Sequence, residues 1–224
     1  MASSDKHLNN LKLIDKKKKY SISEAVELAK KTNTAKFDAS IDIAIKLNLD
    51  TTKAEQQLRG TISLPHYFGK TIRIVAITDD ISPAVAKELD IKVGATDLIN
   101  DIKNGWLDFD LIITDPKYMI PLSKLGKILG PKGLMPNPKL GTVTKNVLSA
   151  VKEFKKGKYK YRTDMYGNIH MKIGKVSADS QQIIENINAL LDFIKSKKPS
   201  TVKGEYIQNI NLSTTMGPSI KIAK

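Results

Sequence analysis

The sequence predicts a mixed α/β and α+β protein of two domains, one inserted into the other. Three observations predict it. Strands toward both ends alternate apolar and polar residues, as in an antiparallel sheet with one wet face. The strands of the middle are continuously apolar and lead into proline-started helices, as in a parallel sheet covered by helices. Charge falls in blocks: residues 67–116 carry five bases against nine acids and residues 117–157 nine against one, while the flanks 1–66 and 158–224 are net +4 and +6. The expected outer domain is discontinuous, residues 1–66 with 158–224, and the expected inserted domain is 67–157.

Taken in order, the chain opens on a polar stretch, Met1–Asn10, with no apolar core of an export signal. Lys16 to Lys19 form a basic run. Ser21 and Glu24 have capping-box spacing, and Ala25, Val26, Leu28 and Ala29 follow at helical spacing, so a helix is expected over 22–31. Ile41, Ile43, Ile45, Leu47 and Leu49 alternate with Asp42, Ala44, Lys46 and Asn48, a half-buried strand. Residues 58–64 alternate again, and Pro65 ends them. Residues 71–78 and 111–114 read as buried strands. Ser82-Pro83 and Asp115-Pro116 each offer a cap followed by proline at the first helical position. Thr144 is expected to cap a helix carrying Val147, Leu148, Val151 and Phe154. A hairpin is expected around Asp164–Asn168, then a long helix over 177–198 with Ile183, Ile184, Ile187, Leu190, Leu191 and Ile194 inward. The last strand, 205–212, places Tyr206, Gln208, Ile210 and Leu212 on one side and Ile207, Asn209, Asn211 and Ser213 on the other.

Composition narrows the function. The net charge is +14 and the pI about 9.7, a balance that points to nucleic acid before any acidic protein or membrane. No apolar run reaches the roughly eighteen residues of a membrane span. There is no cysteine, which removes disulfides and thiolate metal sites and fits a reducing cytoplasm. His7, His66 and His170 are too scattered to suggest a metal site. Lysine dominates the bases, with arginine only at 59, 73 and 162.

The most distinctive stretch is Ser123–Thr144. It holds Gly126, Gly130, Gly133 and Gly141, Pro131, Pro136 and Pro138, and Lys124, Lys127, Lys132 and Lys139, without an acid. It reads as a long, shaped, basic loop. It is no phosphate loop of the Walker type, because Lys132 is followed by Gly133 rather than Ser or Thr. The residues after the first buried strand, Thr78-Asp-Asp-Ile-Ser, lack a dinucleotide glycine fingerprint as well.

Four stretches together resemble one family: Gln56–His66, Gly105–Asp110, the Leu-Gly-Lys-Ile-Leu-Gly-Pro-Lys-Gly-Leu-Met-Pro-Asn-Pro-Lys string of 125–139, and Ser213–Pro218. The chain is similar in them to the bacterial branch of the large-subunit ribosomal protein L1 family. The resemblance implies a discontinuous RNA-binding domain and a Rossmann-like inserted domain without a nucleotide cofactor. It implies binding of 23S-class ribosomal RNA in a mobile stalk, help in releasing spent transfer RNA from the exit site, and repression of the operon's own messenger. It implies no catalysis, no cofactor or metal, other ribosomal components as partners, no membrane, and a monomer within the cytoplasmic ribosome. Carried over by position, the ribosomal RNA face comprises Glu27, Lys36, Phe37, Ser40, Asp42, Asp164, Asn209, Thr215, Met216 and Gly217. Lys36 can meet phosphate, Phe37 can pack on a ribose or base, and Thr215 offers a hydroxyl to a ribose 2′-OH. Asp42 must accept from a base amine or ribose hydroxyl. Four positions depart from the family pattern: Ser40 and Asp42 for the commoner Thr and Glu, Met165 where lysine is usual, and Asn209 where serine is usual.

Two other readings compete with a non-catalytic ribosomal RNA binder. An enzyme acting on a phosphorylated substrate needs a base or nucleophile converging on the glycine loop, and Ser123–Thr144 has neither acid nor histidine. A translational repressor outside the ribosome shares the RNA-binding features. The lysines of the loop, Lys124, Lys127 and Lys132, are the candidates for transfer-RNA contact.

Overall fold

A computed structural model describes residues 10–15, 18–69, 72–79 and 81–223. The expectations for Met1–Asn9, Lys16, Lys17, Lys70 and Thr71 lie outside the described residues. The chain is mixed α/β, as expected, with an antiparallel sheet and a separate parallel sheet. It forms two compact units, residues 1–68 with 161–224, and residues 69–160.

In the first unit, α1 (Ile22–Lys31) starts at the expected capping box: Ser21 accepts from the Glu24 amide and Glu24 from the Ser21 amide. A four-stranded sheet has the order β7-β1-β8-β9, with β1 at Ser40–Leu47, β7 at Asn168–Lys175, β8 at Ile207–Thr214 and β9 at Ile220–Ile222. Neighbours run antiparallel throughout. Strand β1 alternates strictly between half-exposed and buried, with Ile41, Ile43, Ile45 and Leu47 inward. Helix α7 (Ser180–Ser196) and α1 pack together and against these strands, so one face of the sheet is covered. At Gly174 the helix comes so close that a Cβ would lie 2.9 Å from the Ile183 side chain. Among the apolar residues of α7 sits Asn186, fully buried and fully used. Its Nδ2 donates to the His66 and Ile173 carbonyls at 2.8 and 2.9 Å, and its Oδ1 accepts from the His66 amide at 3.0 Å. Strands β2 (Arg59–Ser63) and β6 (Lys158–Arg162) form a two-stranded sheet, and of β6 only Tyr161 and Arg162 belong to this unit.

One expectation about β8 fails in its first half. Ile207 is buried and Gln208 exposed, the reverse of simple alternation from Tyr206. The register explains it: Lys46 pairs with Asn209 but Leu47 with Ile207, so Gln208 is the extra residue of a bulge.

In the second unit, β3 (Ile74–Ile77) lies between β4 (Lys92–Gly94) and β5 (Leu111–Thr114), all parallel. Every residue of β3 and β5 is buried. Ile74, Ala76, Leu111 and Ile113 face one apolar cluster, with Val147, Val151 and Phe154 of α6 (Val147–Lys155). Val75, Ile77 and Ile112 face another, with Leu98, Ile99 and Ile102 of α3 (Thr96–Lys103), and with Leu122, Leu125 and Leu129. Both faces are therefore covered. The three-residue β4 and helix α3 are additions to the sequence reading. Helix α2 (Pro83–Glu88) begins at proline as expected, but Ser82 makes no side-chain cap bond. Helix α6 is capped by Asn146, whose side chain accepts from the Ser149 amide; Thr144 instead accepts from the Asn146 amide. Asp115 accepts from the Lys117 amide, the expected cap, and a 3-10 turn leads into α4 (Met119–Ser123).

Candidate nucleic-acid interface

The uncovered face of the antiparallel sheet is polar but for Ala44. Strand β1 presents Ser40, Asp42, Ala44 and Lys46 there, because its alternate residues are the buried isoleucines. Pairing places Lys172 and Ser213 on either side of Asp42, His170 and Asn211 beside Ala44, and Asn168 and Asn209 beside Lys46. Lys221 of β9 stands next to Asn211. All of these are half or fully exposed. From Ser40 to Lys46 the strip spans roughly 20 Å at a strand's rise per residue.

At the Ser40 end, the predicted residues converge. The Thr215 amide donates to the Ser40 carbonyl and the Thr215 hydroxyl accepts from the Ser40 amide, both at 3.1 Å. That hydroxyl is thus partly engaged, and it holds the 215–217 turn against β1. Phe37 and Met216 are 56% and 65% exposed, far more than a core role allows. Phe37 is held outward by its neighbours: the Ala39 carbonyl accepts from the Val176 amide, and Asp38 accepts from the Ser177 amide and pairs with Lys175 at 3.0 Å. The Lys175 bond, with the Ser177 bonds, holds the Asp38 carboxyl below its ordinary pKa against some burial. Gly217 leaves room that a larger residue would take, since a Cβ would lie 2.1 Å from the Thr214 hydroxyl and force that side chain to shift. Lys36 is exposed in the same loop as Phe37.

Asp42 sits midway. Burial raises its pKa, with Lys172 acting in the opposite direction. A carboxyl in that position accepts hydrogen bonds and gains a proton more readily than an ordinary aspartate. Asn209 and Asp164 lie toward the far end. Asp164 closes the β6–β7 hairpin: its carboxylate accepts from the Tyr166 amide at 2.9 Å and from the Asn168 amide and side chain at 2.7 and 2.8 Å, and lies 3.6 Å from His170 Nε2. Burial alone would raise its pKa, but the Asn168 and Tyr166 bonds and His170 outweigh it and lower it. Asp164 thus closes the expected turn at the edge of the strip, through carboxylate bonds that the sequence did not show.

Glu27 does not join the group. It is exposed on α1, a helix of the layer on the covered side of the sheet. Conversely, Lys46, His170, Lys172, Asn211 and Lys221 share the open face without being among the residues expected from the sequence. The polar halves of the alternating strands carried that signal, but only strand pairing puts them on one face.

In the other unit, the Ser123–Thr144 stretch is less open than expected. It contains α5 (Gly126–Leu129) and a 3-10 turn at Pro138–Leu140. Leu122, Leu125 and Leu129 point into the core, which leaves Lys124, Lys127 and Lys132 exposed on the outside. They form a basic surface on a fixed backbone.

The chain matches the family described as ribosomal protein L1p/L10e over residues 29–218. It belongs to that family. The match takes in the open strip except for Lys221 of β9, and the whole parallel-sheet unit. The large ribosomal subunit protein uL1 of Mycoplasmoides gallisepticum is 63% identical over 208 residues, covering 93% of this chain and 92% of that protein. Those of Mycoplasma pneumoniae and Mycoplasma genitalium are 63% and 62% identical, each covering 94% of this chain, and 92% and 93% of the relative. The family is one of structural ribosomal proteins, so the chain is not an enzyme and its place is the cytoplasmic ribosome.

Proposed function

We propose that the chain is a structural constituent of the large ribosomal subunit whose discontinuous domain, residues 1–66 with 158–224, binds 23S-class ribosomal RNA in a mobile stalk. The carrying observation is the antiparallel sheet with one face sealed by helices and the other polar, cationic and open, ending in exposed Phe37 and Met216 beside Thr215. Lysines along the strip take phosphates, and the hydroxyls, amides and Asp42 take ribose and base edges. The names of the relatives and the family resemblance support the ribosomal partner. In the same reading, Lys124, Lys127 and Lys132 of the inserted domain touch exit-site transfer RNA and assist its release, and the open strip also binds a similar structure in the operon's messenger to repress translation.

The test is a chain lacking residues 70–156 with its ends bridged. It is expected to fold and to bind large-subunit ribosomal RNA, with log affinity falling against log salt as for about four to six phosphates. An unfolded product, a folded one without affinity, or a flat salt response contradicts the proposal.

A further inference from the structure

A second basic feature of the first unit lies outside the strip. The Thr163 amide donates to the Leu58 carbonyl at 2.9 Å, and the Tyr161 ring lies against Gly60. This pairing sets Arg59 directly opposite Arg162, two of the three arginines in a chain whose bases are otherwise lysine. Like charges directly across a ladder repel. Among the described residues neither guanidinium has a carboxylate partner: Arg59 donates to Gln57 at 3.2 Å, and the third arginine, Arg73, is the one paired with acids. Both arginines line a groove of about 320 Å³ with Thr51, Gln57, Thr163 and Met165. That volume is at the lower end of small-ligand sites, roughly 300–1,000 Å³, and suits one nucleotide unit. Asp164 lines the groove too, its carboxylate taken up by the Tyr166 and Asn168 amides and the Asn168 side chain, so the groove carries two cations against one anion.

Met165 of the lining belongs to the hairpin tip, where it and the next residue, Tyr166, are 79% and 71% exposed. Exposed aromatics on mobile tips are common, but this tip is pinned. Asp164 holds it from within, Thr51 donates to the Met165 carbonyl, and Lys46 donates to the Tyr166 carbonyl. An exposed aromatic one residue along from a groove with an excess of fork-shaped cations is suited to take a base by its face and its phosphate by two N–H donors.

We propose that this groove is a second RNA contact, in which Arg59 and Arg162 hold a phosphodiester and Tyr166, backed by Met165, stacks on the adjoining unpaired base. It rests on the RNA-binding reading above but uses none of the residues carried over for it except Asp164, which only shapes the turn.

The experiment uses the full chain with two probes, protein-free large-subunit ribosomal RNA and bulk deacylated transfer RNA, titrated at several salt concentrations. Tyr166→Ala is expected to weaken binding roughly tenfold to at least one probe without changing the salt slope, since stacking releases no counterions. Tyr166→Phe should bind as the parent does. Arg59→Gln with Arg162→Gln should weaken the same probe and flatten its salt slope by about one to two, and Arg162→Lys should recover the slope but not the full affinity. The probe that responds identifies which RNA occupies the groove. A Phe37→Ala, Met216→Ala double variant is the reference. If it lowers ribosomal RNA affinity while the groove variants bind both probes within twofold of the parent, the groove inference falls alone. If neither set has an effect, the open-strip reading falls with it.

Discussion

The two sheets solve the same burial problem in opposite ways, and the difference places function differently in each. In β1 every second residue is buried, and helices cover only the isoleucine side. In β3 and β5 every residue is buried, with apolar clusters on both faces. A sheet with a free face can carry contacts on the strands themselves, held in register by the ladder. A sheet sealed on both faces leaves contacts to its connections, and the proposed ones are Lys124 before α5, Lys127 within it and Lys132 after it. The first surface suits recognition of one shaped RNA. The second, a few lysines on a scaffold of buried leucines, suits phosphate contact without base reading.

The largest effect that separates the two comes from equal lesions in each core. Ile43 and Ile113 are 1% and 0% exposed. Truncation of either to alanine should cost about 2–5 kcal/mol of stability. Their consequences for binding should differ: Ile43→Ala is expected to lower ribosomal RNA affinity as the open face loses its backing, and Ile113→Ala to leave it near the parent value. Denaturant titration and filter binding on the same preparations read both. Equal losses of affinity would erase the distinction between the sheets.

A smaller effect sharpens it from the other side. Lys124, Lys127 and Lys132 changed together to Ala should keep ribosomal RNA affinity within about threefold, or roughly 0.6 kcal/mol. The same variant should weaken transfer-RNA contact or change its release rate on assembled ribosomes. Normal release with reduced thermal stability would mean that the loop serves only to order its domain.

Much of this contrast was legible in the residues. Strict alternation in 41–49 and continuous apolarity in 111–114 state which sheet has a free face, because side chains alternate with period two. The unread parts have local causes. Strand β4 has only three residues, too few for any period to show. The bulge at Gln208 reverses the inward side of β8 without a glycine or proline to mark it. Asn186 looks like a flaw in an apolar stripe until its three bonds to the 66 and 173 backbone are seen. The α5 turn hides behind glycines and prolines, although Leu122, Leu125 and Leu129 already had helical spacing. The site was legible as a list through family resemblance. Its geometry was not: Glu27 of that list lies on the helical layer, and Lys172 and Lys221 come to the open strip only through pairing with β1 and β8.

The central claim is that the open face of the antiparallel sheet, and not its helical layer, receives ribosomal RNA. Lysine reactivity measures this directly. The chain would be acetylated briefly, alone and saturated with large-subunit ribosomal RNA, and each lysine read by mass spectrometry. Lys172 and Lys221 on the open face should lose most of their reactivity in the complex, while Lys195 and Lys197 at the end of α7 should react as in the free chain. Protection of Lys195 and Lys197 with Lys172 and Lys221 still reactive would contradict the account.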